Sequence, residues 1–285
     1  MIRRPPRSTQ GVSSAASDVY KRQPILIKSK TNLGTVGIPN SNNGKGAVFL
    51  LNTGEVGNTQ PLVQHFLERC KEEGFREMLK SKFKKYSKIP TSSGFSGKEI
   101  AQKMLDDHNI NDVRIISVAG KLTDHYNPQD KTINLSSDVY NGRHVSAAAV
   151  AAHECGHAIQ HAKSYQWLQM RSQMVPAVNF SNKLMSMIMI LGLIGAGVLK
   201  MFPFTTIILV FVILQAVVTL FTLITLPVEF DASRRALIWL KSSNISNEQE
   251  LTYSEDALKW AASTYVVAAL AAAAYLLYYL AILRD

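Results

Sequence analysis

Three long runs without a charged residue dominate the last third of the chain and limit the folds open to it. They extend from Leu184 to Leu199, from Phe204 to Leu226 and from Val266 to Leu283. A helix needs about 20 apolar residues to cross the ~30 Å hydrocarbon core of a bilayer. The second run meets that length, and Lys183 and Lys200 bracket the shorter first run at points where their side chains can reach the interface. These runs predict three membrane-spanning helices; the alternative is three buried core helices of a soluble protein.

The positive charge of the chain is large but confined to two segments. The chain has 31 Lys and Arg against 21 Asp and Glu, which gives a formal net charge of +10. Residues 1–30 and 65–88 together hold the whole excess, so the rest of the chain is balanced. The charge therefore does not indicate a nucleic-acid-binding protein, and no nucleic-acid partner is expected. The two cysteines, Cys70 and Cys155, exclude a disulfide framework and a zinc finger built on cysteine pairs.

The first 82 residues differ in character from the rest of the chain. Residues 1–23 show no periodicity and resemble translated sequencing-adapter sequence, so we leave them out of the fold. Residues 24–82 are polar, with a basic amphipathic helix predicted from Pro61.

Short helices and strands are predicted between Phe83 and the first apolar run. Ser96 followed by Glu99 is a capping box and predicts a helix over residues 96–107. Two β-type runs, Val113–Val118 and Lys131–Leu135, enclose a segment with turn residues. A long helix is predicted over residues 145–163.

That long helix contains the most informative motif, His-Glu-x-x-His at residues 153–157. His153 and His157 lie four residues apart, so both imidazoles project from one helix face and can reach one Zn²⁺. Glu154 lies beside that metal, where it can accept a proton from a zinc-activated water and return it to a leaving amine. Gly156 is expected to leave room above the site. The alternative is two surface histidines on an ordinary helix.

A catalytic zinc needs a third protein ligand and an open fourth position. His161 continues the series but lies about 12 Å from His153 along the helix, too far to share a metal. Glu229 is the strongest remaining candidate, at the membrane edge and at the start of a predicted helix. Two predicted spans separate Glu229 from His157. The chain therefore returns to its starting side, and the two residues are expected on the same side of the bilayer. The alternative is a carboxylate that only stabilises the dipole of its helix.

Several segments in order resemble the YugP-type neutral zinc metallopeptidases of bacterial membranes, which are distant relatives of the HtpX-like proteases. The resemblance covers about Phe83 to Leu283. The family usually begins with a membrane span at the place where this chain has the polar residues 24–82. The resemblance therefore implies that residues 24–82 are a chimeric start and that the natural protein carries a further membrane span there. The matching segments are residues 84–87, 93–94, 122–128, 151–161, 229–233 and 264–266.

The resemblance implies the fold and the site. The fold class is mainly α, an integral membrane helical protein with a small α+β zincin-like metallopeptidase domain. One Zn²⁺ per chain would be bound by His153, His157 and Glu229, with Glu154 as the general base of this gluzincin. HtpX-like proteases often have Asp at the position of Ser233, so the resemblance leaves a hydrogen bond from this position to a ligand histidine in doubt.

The segment before the zinc helix is a candidate for substrate contacts. In gluzincins a strand runs along the cleft at this point, and Asp124, His125 and Tyr126 occupy it. We expect His125 or Tyr126 to bind substrate or the developing oxyanion. The alternative is that the segment only packs.

The charges that flank the spans predict the orientation of the site. Those on the side of the zinc motif outnumber those on the other side, where Lys200 and Arg284 lie. The site is therefore expected at the cytoplasmic face of the bacterial inner membrane, and the unpaired thiol of Cys155 beside the metal agrees with a reducing compartment. The flanking residues on the site side are Arg171, Lys183, Arg234, Arg235, Lys241 and Lys259.

These observations predict a multi-pass zinc endopeptidase with the lipid bilayer and a protein or peptide substrate as partners. The predicted divisions are the metallopeptidase domain over residues 83–182, a transmembrane hairpin over 183–227, a third-ligand helical segment over 228–261 and a C-terminal transmembrane helix over 262–285. The alternative is a membrane protein without proteolytic activity whose zinc is structural. The sequence outlines no specificity pocket and no oligomeric state.

Overall fold

The computed structural model describes residues 74, 77–194 and 202–284, and the described chain is mainly helical with one small sheet. This confirms the predicted fold class. The predictions for residues 1–23 lie outside the described residues, as do those for residues 24–73. The same holds for the link over residues 195–201 between the first two apolar runs.

The elements follow the predicted order. The helices are α1 (residues 77–86), α2 (Gly97–Asp107), α3 (Ser137–Tyr140), α4 (Val145–Ala162), α5 (Gln166–Ile194), α6 (Phe204–Ser242) and α7 (Glu248–Arg284). The strands are β1 (Arg114–Val118), β2 (His125–Asn127) and β3 (Thr132–Ser136). The capping box before α2 is present: the Ser96 hydroxyl accepts from the Glu99 N–H, and the Glu99 carboxylate accepts from the Ser96 N–H.

The sheet has the strand order β1-β3-β2. β1 runs parallel to β3, and β2 runs antiparallel to it with Tyr126 opposite Ile133. The two longer strands are the two β-type runs of the sequence. β2 lies in the segment with turn residues, where the resemblance implies a strand. The residue pattern alone did not predict it, because three residues are too few to show an alternating pattern.

Helix α4 lies at the centre of the globular part. It packs against α2, α6 and α7 and against the inner face of β3. Its first turns are alanine-rich, which lets neighbouring elements approach its backbone closely. Ile100 and Met104 of α2, Leu135 of β3, Ile159 of α4 and Leu240 of α6 form a fully buried core around it. This packing fixes the face of α4 that carries the two motif histidines.

Three described helices are long and apolar enough to cross a membrane: Gln166–Gly192 within α5, α6 and α7. This agrees with the three predicted spans. α6 has 39 residues and is about 58 Å long, nearly twice the ~30 Å hydrocarbon core. A bilayer could therefore enclose only about half of α6, and the second half packs into the globular core.

The prediction that Glu229 lies at the start of a helix is wrong. α6 continues from Phe204 to Ser242 with Pro227 inside it, so Glu229 lies in the helix interior. A proline costs a helix one hydrogen bond and causes a clash. Here Val228 and Ala232 on the same helix are fully buried against α4, and this packing outweighs that loss. The predicted boundary between residues 227 and 228 consequently falls within one helix, and a dipole role at a helix start does not apply.

Polar side chains join α6 to α7 within the apolar region. The Gln215 amide nitrogen donates to the Ala272 carbonyl at 3.0 Å, and the Thr219 hydroxyl donates to the same carbonyl at 3.0 Å. In a bilayer such bonds replace the water that the polar groups would otherwise need.

Candidate metal centre

Three side chains that can bind a metal meet between α4 and α6. His153 and His157 on α4 and Glu229 on α6 each offer one ligand atom, and these atoms lie within 4.8 Å of one another. Oε2 of Glu229 lies 3.3 Å from Nε2 of His153 and 3.6 Å from Nε2 of His157. The sequence predicted these three residues as one set, and the structure brings them together.

A close helix crossing makes this meeting possible. A Cβ atom on Gly156 would lie 2.6 Å from the carbonyl oxygen of Ala232 and 3.0 Å from its Cα atom. Only glycine fits there, one turn along α6 from Glu229. The expectation that Gly156 leaves room above the site is therefore wrong, because the space is filled by the backbone of α6.

In each of the three side chains, the nitrogen or oxygen atom that points away from the common centre has a partner of its own. Nδ1 of His153 lies 3.1 Å from the Ser233 hydroxyl, and Nδ1 of His157 lies 3.0 Å from Oε1 of Gln160. Oε1 of Glu229 lies 3.4 Å from the Arg171 guanidinium. The doubt raised at Ser233 is resolved: serine makes the contact to the ligand histidine. Both Nε2 atoms and Oε2 thus face the common centre.

One atom of this centre shows that a cation fits. Oε2 of Glu229 is buried and has no hydrogen-bond partner among the described residues. An unpaired buried carboxylate oxygen is costly. A divalent cation between it and the two imidazoles would remove that cost. Two imidazole nitrogens and one carboxylate oxygen form a donor set that suits Zn²⁺ and leaves a fourth position for another ligand.

Glu154 lies next to this centre without belonging to the ligand set. Its side chain is buried, and burial, more than any other cause, raises its pKa to about 7. The negative charges of Asp124 and Glu229 add to the rise, while His153 and the backbone N–H of Tyr126 lower the pKa. The Tyr126 contact places β2 directly beside Glu154. A buried carboxyl with a pKa near neutrality is typical of proton-transfer groups.

The residues of β2 and Asp124, which precedes them, occupy different environments. Tyr126 is buried, and its hydroxyl lies 2.7 Å from Nδ1 of His161. His125 is half-buried, with Nδ1 2.7 Å from the Thr123 carbonyl. Asp124 accepts hydrogen bonds from the backbone and the hydroxyl of Ser136. Successive side chains of a strand point to opposite faces, so His125 and Tyr126 do not share one face of β2.

His161 lies outside the ligand set, as predicted from its distance along the helix. Cys155, in contrast, was predicted beside the metal and lies elsewhere. Its side chain is fully buried in the core, with Sγ 3.5 Å from the Ala101 carbonyl. Burial raises the pKa of the Cys155 thiol well above its usual value. A thiol buried in this way is protected from oxidation in any compartment. The unpaired Cys155 therefore does not indicate a reducing compartment.

Three residues around the centre were not predicted as site residues. They are Gln160, Arg171 and Asp231, whose carboxylate accepts from the amide nitrogen of Gln160 at 2.9 Å. A signal existed only for Gln160, a polar residue three positions after His157 on the helix that carries the motif. Nothing in the local sequence singles out Arg171, because its contact depends on how α5 crosses α6.

Comparison with known proteins agrees with this geometry. The family profile described as "Putative neutral zinc metallopeptidase" matches residues 74–284. The chain is 42% identical over 199 residues to "Putative membrane protease YugP" of Bacillus subtilis, which covers 67% of this chain and 82% of that protein. No solved structure matches the chain significantly. With two histidines and a glutamate converging beside three candidate membrane spans, the chain belongs to this family of neutral zinc metallopeptidases.

Proposed function

We propose that the protein is a membrane-embedded zinc-dependent endopeptidase. One Zn²⁺ per chain is held by His153, His157 and Glu229, and Glu154 is the general base. The observation that carries this proposal is the buried, unpaired Oε2 of Glu229, which faces two imidazole nitrogens next to a buried carboxyl that is not a ligand.

Each residue then has a distinct part in peptide hydrolysis. When bound, the metal acts as a Lewis acid that polarises the scissile carbonyl and makes a water easier to deprotonate. Glu154 accepts the proton of the attacking water and delivers it to the leaving amine. Ser233, Gln160 and Arg171 hold the outward atoms of the three ligands, so the ligands are oriented before the metal arrives.

The strand beside Glu154 supports a substrate-binding role for β2. The backbone N–H of Tyr126 contacts Glu154, so a chain bound along β2 would pass the catalytic carboxyl. We propose His125 as the side chain that binds the developing oxyanion, since it is half-buried and accessible. The Tyr126 hydroxyl is already bonded to His161, which supports a part in holding β2 against α4. The substrate is a protein or peptide.

The membrane orientation is also part of the proposal. α5 and α6 form two consecutive spans between His157 and Glu229, which agrees with both residues being on one side of the bilayer. Positive residues near the span ends are concentrated on that side and support a cytoplasmic active site at the bacterial inner membrane.

The competing function is a membrane protein whose zinc only stabilises the fold. The two functions differ at Glu154, because a structural site has no need of a buried acid beside its ligands. Glu154→Gln should retain about one zinc per chain and near-unchanged thermal stability, while peptide cleavage falls 10²–10⁴-fold. His157→Ala should lose both zinc and activity.

Zinc content and cleavage of unfolded soluble and membrane substrates are measured on the same detergent-solubilised preparation. Glu255→Gln, an exposed acid on α7 that pairs with Lys259, is the matched control and should retain both zinc and activity. A zinc-loaded wild type that cleaves none of the substrates, with Glu154→Gln indistinguishable from it, would establish the structural role instead.

A further inference from the structure

We propose that Gln160 is a positioning residue that fixes the tautomer of His157. Its amide keeps the proton of the neutral imidazole on Nδ1 and so leaves the lone pair of Nε2 free for the metal. This inference rests on the metal-binding part of the proposed function and gives a role to a residue outside the His-Glu-x-x-His motif.

The orientation of the Gln160 amide follows from its neighbours. The side chain is fully buried, and its nitrogen lies 2.8 Å from the Val228 carbonyl and 2.9 Å from Oδ2 of Asp231. A carbonyl and an ionised carboxylate only accept hydrogen bonds. The reversed amide would place an oxygen against two acceptors. The nitrogen must therefore face Val228 and Asp231, and Oε1 must face His157.

The tautomer of His157 follows in turn. Oε1 of Gln160 is an acceptor 3.0 Å from Nδ1 of His157, so Nδ1 must be the donor. A neutral imidazole carries only one N–H. Nε2 therefore presents its lone pair toward Oε2 of Glu229, 3.6 Å away. Without the Gln160 acceptor, the proton could move to Nε2 and compete with the metal for Glu229.

Asp231 fixes the amide without taking the proton itself. Its Oδ2 accepts from Nε of Arg235 at 2.5 Å as well as from Gln160. The guanidinium balances the charge of this carboxylate. The neutral Gln160 thus contacts the imidazole of His157. The charged pair of Asp231 and Arg235 contacts Gln160 and not the imidazole.

The same amide joins the two helices that carry the ligands. Gln160 lies three residues after His157 on α4, and both of its acceptors, Val228 and Asp231, flank Glu229 on α6. The Gln160 side chain therefore has two effects. It sets the position of the proton on His157, and it holds the turn of α6 that bears Glu229. Substitution by leucine would remove both effects while retaining a similar volume.

The first test uses the full-length wild-type protein without metal. The histidine nitrogens are labelled with ¹⁵N, and long-range ¹⁵N–¹H NMR spectra are recorded in detergent at pH 8. The chain has seven histidines, so single substitutions suffice to assign His157. We expect the Nδ1 atom of His157 to carry a proton and its Nε2 atom to carry none. Protonation at Nε2 would overturn the proposal without any variant needing to fold.

The second test measures zinc affinity by competition with a chelator. Gln160→Leu should bind zinc about 10–100-fold more weakly, the usual cost of removing a partner of a ligand histidine. The matched control is Gln215→Leu. It removes another buried glutamine, whose amide nitrogen donates to the Ala272 carbonyl and not to a partner of a histidine. An unchanged affinity in Gln160→Leu, or an equal loss in both variants, would overturn the proposal.

The outcomes separate this inference from the proposed function. If the wild type itself binds no zinc, the proposed function fails; if it binds zinc and Gln160→Leu binds equally, only this inference fails.

Discussion

Ser233 on α6 places its hydroxyl 3.1 Å from Nδ1 of His153 on α4. Ser233 lies one helical turn after Glu229, so the same face of α6 supplies a candidate ligand and the support of another ligand. The contact orients the His153 imidazole so that its Nε2 faces Glu229. A short, neutral hydroxyl thus takes the place that a carboxylate often has in HtpX-like proteases.

Removal of this hydroxyl should weaken the metal site. We expect Ser233→Ala to bind zinc about tenfold more weakly, because a ligand histidine loses the partner of its outward nitrogen. Ser233→Asp should bind at least as tightly as wild type, since a carboxylate is a stronger acceptor. Chelator competition measures both. Ser254→Ala, at another buried serine whose hydroxyl has no hydrogen-bond partner among the described residues, is the control. Equal affinity in Ser233→Ala and Ser254→Ala would contradict this role.

Substitutions of His125 and Tyr126 in β2 should give different phenotypes. His125→Ala should lower kcat/KM by about 10²-fold at full zinc content, the cost of removing one donor to an oxyanion. Tyr126→Phe should instead lower the free energy of unfolding by about 1 kcal/mol, because it loses the hydrogen bond to His161. Steady-state kinetics and thermal unfolding separate these effects. If both variants keep kcat/KM within about twofold, the segment only packs.

Local patterns in the sequence predicted the helices and strands but not how the helices cross one another. The capping box at Ser96 and Glu99 and the periodic apolar run of α4 depend on neighbours within a few residues, and both predictions agree with the structure. Pro227 directly follows the second apolar run and indicates a helix boundary there, yet α6 continues through it. Burial of the following turn against α4 decides that outcome, and such packing has no local signature.

The metal centre, too, could be predicted only where it depends on residues of one helix. The spacing of His153 and His157 is a property of one helix, so it could be predicted from the sequence. The contact of Gln160 with Asp231 joins residues 71 positions apart, and it exists only because α4 and α6 approach closely. Arg171 reaches Glu229 from a third helix. Residues that hold ligands from other elements require the tertiary structure.

Arg171 balances the charge of Glu229 when no metal is bound. Glu229 is buried, with its side chain only 3% exposed, so loss of the guanidinium would leave its carboxylate without a cationic partner. We expect Arg171→Met to destabilise the zinc-free protein by about 3 kcal/mol. The zinc-loaded protein should lose much less, because the metal supplies the compensating charge. Thermal unfolding with zinc and with a chelator measures the difference.

The control for this prediction is Lys183→Met on the same helix, where the side chain is exposed. That variant should unfold like the wild type under both conditions. An equal loss of stability with and without zinc in Arg171→Met would mean that Arg171 contributes packing and not charge balance.

The close crossing at Gly156 should determine both stability and metal affinity. A glycine-to-alanine substitution in a helix interior ordinarily stabilises the helix by up to ~1 kcal/mol. At Gly156 the added methyl would meet the carbonyl oxygen and Cα of Ala232, at 2.6 and 3.0 Å. Both atoms belong to the backbone and cannot rotate away, so α4 and α6 must separate. We expect Gly156→Ala to lose about 1–3 kcal/mol of unfolding free energy, the usual cost of overpacking.

Separation of these helices would also move Glu229 away from His153 and His157, so zinc affinity should fall in the same variant. Thermal unfolding and chelator competition on one preparation measure the two effects together. The matched control is Gly74→Ala, where an added Cβ meets no atom of the described residues within 4 Å and neither quantity should fall. Reduced stability with unchanged zinc affinity would show that the helices can part without moving the ligands. An unchanged stability would contradict the close approach itself, since the intrinsic preference for alanine would then act unopposed.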